Sequence, residues 1–146
     1  MHTHTALSNE EIKARGTKAE TVLFMTWANR QHPETQKVIA DAYTQLSEEL
    51  GAILAPVGLA WEKAEKEEPG IDLHHRDGRH ANPVGAYLTA CVFYAVFTGK
   101  SPAGLPGTLF VAGKERGCLS AEKASFLHEI ARSSLMSTPR TFSAGE

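Results

Sequence analysis

The sequence predicts an α/β fold: a parallel sheet covered by helices on both faces, of which the chain shows only a part. Two short apolar runs rich in β-formers, TVLFMTW (21–27) and AILAPV (52–57), lack strict alternation. That is the pattern of strands buried on both faces. Segments of helical periodicity surround and separate them, and such alternation marks a parallel sheet with crossover helices. Two strands are nevertheless too few to be covered by the five helices the pattern contains, and no internal repeat makes up the difference. The chain therefore reads as a partial α/β/α sandwich.

Each element follows from local chemistry. Asn9 to Arg15 has a capping residue followed by Glu10 and Glu11, where the helix dipole favours negative charge, and Gly16 ends it. The first apolar run leads into a polar loop, Ala28 to Gln31. Pro33 then opens a helix, a position where its missing N–H costs nothing. Val38, Ile39, Ala42, Tyr43, Leu46 and Leu50 recur at helical spacing and predict an apolar face, closed by Gly51. After the second run, Leu59, Ala60, Trp61 and Ala64 start a short helix. It continues into the charged stretch KAEKEE, read as a solvated face, and stops before Pro69.

DLHHRDGRHANP (72–83) is a loop with an Asp77-Gly78 turn signal, and Asn82-Pro83 supplies an N-cap and first helical position. The helix from Val84 to Phe97 is apolar nearly all round, so deep burial is expected. LPGTLFVAGKERGC reads as a loop with a short extended stretch or hairpin. Ser120 then caps an amphipathic helix whose apolar side is Phe126, Leu127, Ile130, Ala131 and Leu135. Residues 1–8 and 137–146 are expected to be disordered tails around one domain portion, 9–136.

Composition bounds the partners. A net charge of −2 with 42% apolar and 22% charged residues gives no electrostatic case for nucleic acid or an anionic membrane. No apolar run reaches the roughly 20 residues that span a bilayer. The start MHTHTALSNEE has no basic region followed by an apolar stretch, so it is not a secretory signal. Cys91 lies in an apolar run, where a reduced buried thiol is expected. A cytoplasmic location follows, although a longer parent protein could be exported.

The densest polar group is Asp72, His74, His75, Asp77 and His80. Asp77 and His80 stand three apart across a turn. A carboxylate there can hold the imidazole Nδ1–H and leave Nε2 free as a base. His80 also precedes a helix N-terminus, whose dipole disfavours imidazolium. A neutral, oriented imidazole is what a serine nucleophile needs as partner. The competing reading is local: Asp-Gly is a common turn, and a histidine before Asn-Pro can simply cap. A metal reading of His74, His75 and His80 with Asp72 or Asp77 is disfavoured, because adjacent histidines rarely reach one ion and no HExxH or paired-cysteine motif is present. No cofactor is expected. Trp27, Asn29 and Arg30 follow the first strand and are candidate substrate-binding residues. Equally, Trp27 could be core and Arg30 a solvated charge. Ser8, Ser47, Ser101, Ser120 and Ser125 read as surface or capping residues, none in a GDS or GxSxG context.

TVLFMTWANRQHPETQ, LGAILAPVGLAWEKA and DLHHRDGRHANPVGAYLTACVFYAVFTGKSPAGLP resemble the C-terminal half of SGNH/GDSL hydrolases. The specific part is DGRHANPVGAYLTACVFY, similar to the last motif of a bacterial branch, and the likeness runs from about Glu10 to Leu135. The resemblance implies a flavodoxin-like three-layer sandwich with a five-stranded parallel sheet, here with only its last two strands and their helices. It implies that Asp77 orients the general base His80 toward a serine after the first strand of the sheet. That serine and the oxyanion-hole residues have no counterpart here, so this chain alone is expected to be inactive. The implied substrate is a small ester, an acylated carbohydrate being one option. The implied partner at the open strand edge is either a second copy or a segment carrying the first three strands.

Overall fold

The computed structural model describes residues 9–16 and 19–136. The tails assigned to 1–8 and 137–146, with His2, His4 and Ser8, lie outside the described residues. Helix α1 spans Asn9–Ala14, and strand β1 spans Val22–Phe24. A single 3₁₀ turn, Pro33–Thr35, leads into α2, Gln36–Leu50, and then into β2, Ile53–Ala55. Helices α3, Val57–Glu67, and α4, Pro83–Thr98, follow. The hairpin of β3, Thr108–Val111, and β4, Lys114–Cys118, precedes α5, Ala121–Leu135. The molecule is mixed α/β, as the alternation predicts.

β1 and β2 pair in parallel with Val22 opposite Ile53 and Phe24 opposite Ala55. The Ile53 N–H donates to Thr21 O at 2.9 Å and the Met25 N–H to Ala55 O at 3.1 Å, extending the ladder at both ends. The two strands differ in burial. β2 is enclosed on both faces, with Ile53, Leu54 and Ala55 all buried. β1 departs from the expectation: Val22 and Leu23 are half-buried and Phe24 is exposed. Among the described residues, β2 is the only strand that pairs with β1, which leaves its other edge open.

Two caps form where the sequence places them, whereas Asn9, expected to precede α1 as its cap, is the first residue within it. The Asn82 side chain accepts from the Gly85 N–H at 2.9 Å, with Pro83 at the first helical position. Ser120 accepts from the Lys123 N–H at 3.1 Å and starts α5. Trp61 and Ala64 of α3, Leu88 and Val92 of α4, and Leu127 and Ile130 of α5 meet β2 in one core. The α5 face predicted from spacing is the buried one: Leu127, Ile130 and Ala131 are enclosed and Phe126 and Leu135 half-buried.

Two faces are less buried than their composition suggests. On α4 the buried stripe is Leu88, Cys91, Val92, Ala95 and Val96, whereas Phe97 is 55% exposed. Phe24 packs edge-on to Phe93 at 4.9 Å, and Phe93 stacks on Phe97 at 5.5 Å, so an aromatic row runs from the open edge of β1 along α4. On α2, Val38 and Leu46 face outward, and the enclosed residues are polar: Gln36 and Ser47. Ser47, expected at the surface, is buried and donates to Ala52 O at 2.8 Å, tying the end of α2 to the start of β2. The segment read as a loop or hairpin is an antiparallel hairpin, turning at Ala112 and Gly113, both with positive φ. No described helix is long and apolar enough to cross a membrane.

Candidate active site

The segment between α3 and α4 folds back on itself. His74 and Ala81 face each other as an antiparallel bridge. The His75 N–H donates to His80 O at 2.7 Å and the Asn82 N–H to Leu73 O at 2.9 Å. Asp77-Gly78 forms the tip, and Gly78 has φ +70°, a conformation that side-chain-bearing residues adopt only with strain. Gly85 is needed for a different reason. A Cβ there would lie 2.2 Å from Leu73 O and 2.7 Å from the Trp61 ring, so only glycine lets α4 start this close to the loop.

Within the tip, Asp77 uses both oxygens. Oδ1 accepts from the backbone N–H groups of Arg79 at 2.9 Å and His80 at 3.0 Å. Oδ2 lies 2.5 Å from His80 Nδ1. The hydrogen bond from His80 is the largest cause, with the two backbone donors next, that holds the Asp77 carboxyl well below the usual carboxylate range. An ionised carboxylate only accepts, so Nδ1 carries the hydrogen and Nε2 of the neutral ring is a lone pair. The His80 side chain is 82% exposed. No described residue forms a hydrogen bond with Nε2. Asp77 thus binds its own turn through Oδ1 and His80 Nδ1 through Oδ2.

Trp27, Asn29 and Arg30 meet this loop from 42 to 52 residues away. Trp27 Nε1 donates to Arg79 O at 2.7 Å. The Arg30 N–H donates to Gly78 O at 2.9 Å. Arg30 Nη2 reaches His74 O at 3.0 Å and Asp72 Oδ1 at 2.6 Å. His74 Nε2 lies 3.0 Å from Ala28 O, closing the clamp from the other side. Asn29 accepts from the Gln31 N–H at 3.1 Å and sits beside Gly78. Gln36 supports the same segment, accepting from the Ala28 N–H at 2.7 Å. The exposed Arg30–Asp72 ion pair by itself contributes at most about 1 kcal/mol. The set of backbone carbonyls satisfied across the two loops matters more, because it sets where the Asp77–His80 turn stands.

Trp27, Asn29 and Arg30 also line a cavity of about 520 Å³, together with Trp61, Glu65 and His74. Asp77 and His80 do not line it. Trp27 lies flat on Trp61, ring centres 4.0 Å apart and 2° from parallel. Glu65 belongs to the stretch read as a solvated face, yet it is only partly exposed and turns to this cavity. Burial raises its pKa, against the pull of His74 and Arg30. Its placement four residues after the buried Trp61, one turn along the same face, is the signal that could have revealed it. Gln36, which closes the loop register, gave no comparable signal. Among the described residues no group of three His, Cys, Asp or Glu side chains is placed to hold a metal ion.

Several described serines are engaged locally. Ser120 caps α5, Ser101 accepts from the Ala103 N–H, and Ser133 and Ser134 donate to Ile130 O. Compared with known proteins, the chain matches no family model, no curated protein and no solved structure.

Proposed function

We propose that this chain carries the acid–base half of a serine ester hydrolase of SGNH type, with Asp77 as orienting acid and His80 as general base. The observation that carries the reading is the 2.5 Å contact between Asp77 Oδ2 and His80 Nδ1, with Nε2 unengaged. In this role His80 Nε2 takes the proton of a serine hydroxyl as it attacks the ester carbonyl, then returns it to the leaving alcohol. Water activated by the same nitrogen releases the acyl group. Trp27 and Arg30 act by holding the turn, and the neighbouring cavity would accept part of a small ester. The serine comes from outside the described residues. The open edge of β1, flanked by Phe24 and Phe97, is where further strands of the sheet would add, from a second copy or a separate segment.

A second reading is a non-catalytic relative that keeps the turn without the chemistry. It is favoured by the bonds Asp77 Oδ1 makes to its own loop and by the absence of a described hydroxyl at His80 Nε2. Hydrolysis of a short-chain p-nitrophenyl ester separates the two. The chain is assayed beside His80→Ala, each alone and with a segment supplying the first three strands. Turnover that appears with the added strands and vanishes in His80→Ala supports the hydrolase. No turnover under either condition leaves the non-catalytic reading.

A further inference from the structure

The cavity wall formed by Glu65 and His74 has a geometry that ester hydrolysis does not use. His74 is 6% exposed, and its Nε2 lies 3.0 Å from the Ala28 carbonyl. A carbonyl oxygen only accepts, so Nε2 carries the hydrogen and Nδ1 of the neutral ring is a lone pair. That lone pair faces Glu65 Oε1 at 3.5 Å, too far for a good hydrogen bond. With Glu65 ionised, two acceptors face each other at the cavity wall, and a donor about 2.9 Å from each would satisfy both.

Charge and shape narrow the donor. The cavity is lined by Glu62, Glu65 and Asp72 against Arg30 and Lys66. Asp72 takes Arg30 at 2.6 Å and Glu62 takes Lys66 at 3.1 Å. Among the described residues, no Lys or Arg side chain forms an ion pair with Glu65, whose neighbour at 3.5 Å is the His74 ring. The stacked indoles of Trp27 and Trp61 border the same space and give it an apolar side for a short carbon chain.

We propose that this wall binds the ammonium group of a small organic amine, which donates to the Glu65 carboxylate and to His74 Nδ1. Burial is the largest influence on Glu65 and opposes its charged form, as do Asp72 and Glu62; Arg30 favours that form, and so does His74 once protonated, a state that removes the Nδ1 lone pair. Glu65 therefore holds its proton to higher pH than an ordinary glutamate while the cavity is empty. The ammonium ion displaces that proton to solvent, so affinity falls as acid restores it. The inference does not rest on the ester-hydrolase reading, because binding is measured without turnover.

The test titrates the full chain with butylammonium chloride, n-butanol and sodium butyrate at equal ionic strength. Binding is followed by ¹H–¹⁵N NMR at His74 and the Trp27 indole. Saturable binding of butylammonium is expected, at least about tenfold tighter than butanol and weakened at least about tenfold in Glu65→Gln. No saturable binding, equal binding of butanol or butyrate, or an unchanged affinity in a folded Glu65→Gln overturns the proposal. Should Glu65→Gln fail to fold, the pH series on the unmodified chain decides: an affinity that does not fall on acidification overturns it. Butylammonium binding without ester turnover, even with the first three strands supplied, would remove the hydrolase reading and leave this one standing.

Discussion

At Asp77, three hydrogen bonds converge on one carboxylate, and their effect on its acidity has a definite sign. The folded pKa lies below the ordinary value of 3.8, so the stabilising contribution is present above that value. It is lost as pH falls from there through the lower folded value. A carboxyl-detected NMR titration should show Asp77 still ionised below pH 3.8; protonation at or above that value would contradict the 2.5 Å contact. Gly78, next in the turn, adopts φ +70° with its Cβ position 3.4 Å from Arg30, so space is adequate but the backbone is not. Gly78→Ala should cost roughly 1–2 kcal/mol. Gly70→Ala serves as the control, since nothing lies within 4 Å there and φ is not in the left-handed region. Equal urea midpoints for the two variants would show that the turn carries no strain.

Between elements, a polar tie adds to the apolar packing of α4 on α5 and runs through the Tyr87 hydroxyl. Tyr87 Oη lies 2.9 Å from Pro106 O and 2.7 Å from His128 Nε2. The carbonyl can only accept, so Tyr87 donates to it and His128 Nε2–H donates to Tyr87. That assignment fits a buried, neutral His128, whose pKa is lowered by desolvation. Desolvation also pushes the Tyr87 phenol up to about 12. Tyr87→Phe strands a buried imidazole N–H and should destabilise by about 1–3 kcal/mol. The double variant Tyr87→Phe with His128→Leu should recover part of that loss in thermal unfolding. If it loses more instead, the pair is not the unit of stability described.

For the molecule as a whole, the sheet is narrow and one of its edges is open. β1 leaves Phe24 at 38% and Phe97 of α4 at 55% exposure, joined through Phe93. Apolar surface beside an unpaired strand favours association, because a second strand satisfies backbone groups and covers the rings together. Sedimentation should show association rising with concentration, and Phe97→Lys should reduce it while far-ultraviolet circular dichroism stays unchanged. Monomer behaviour at all concentrations in the unmodified chain would mean that the edge is protected in another way.

What the sequence determined by itself is local. Asn82 and Ser120 cap the helices that follow them, and Gly51 and Gly99 end helices in the left-handed conformation, because capping involves only the next few residues. Asp77 and His80 meet for the same reason: three residues across a turn leave few other arrangements. The tertiary structure decided everything that depends on distant segments meeting. Trp27 and Arg30 line the cavity and also hold the 78–79 backbone, across intervals no spacing rule covers. Glu65 leaves a charged helical stretch to face His74, and α4, apolar all round, buries one side only. Periodicity states which faces can be buried. Which faces are covered depends on the elements present to cover them, and beyond the outer edge of β1 the described residues supply none.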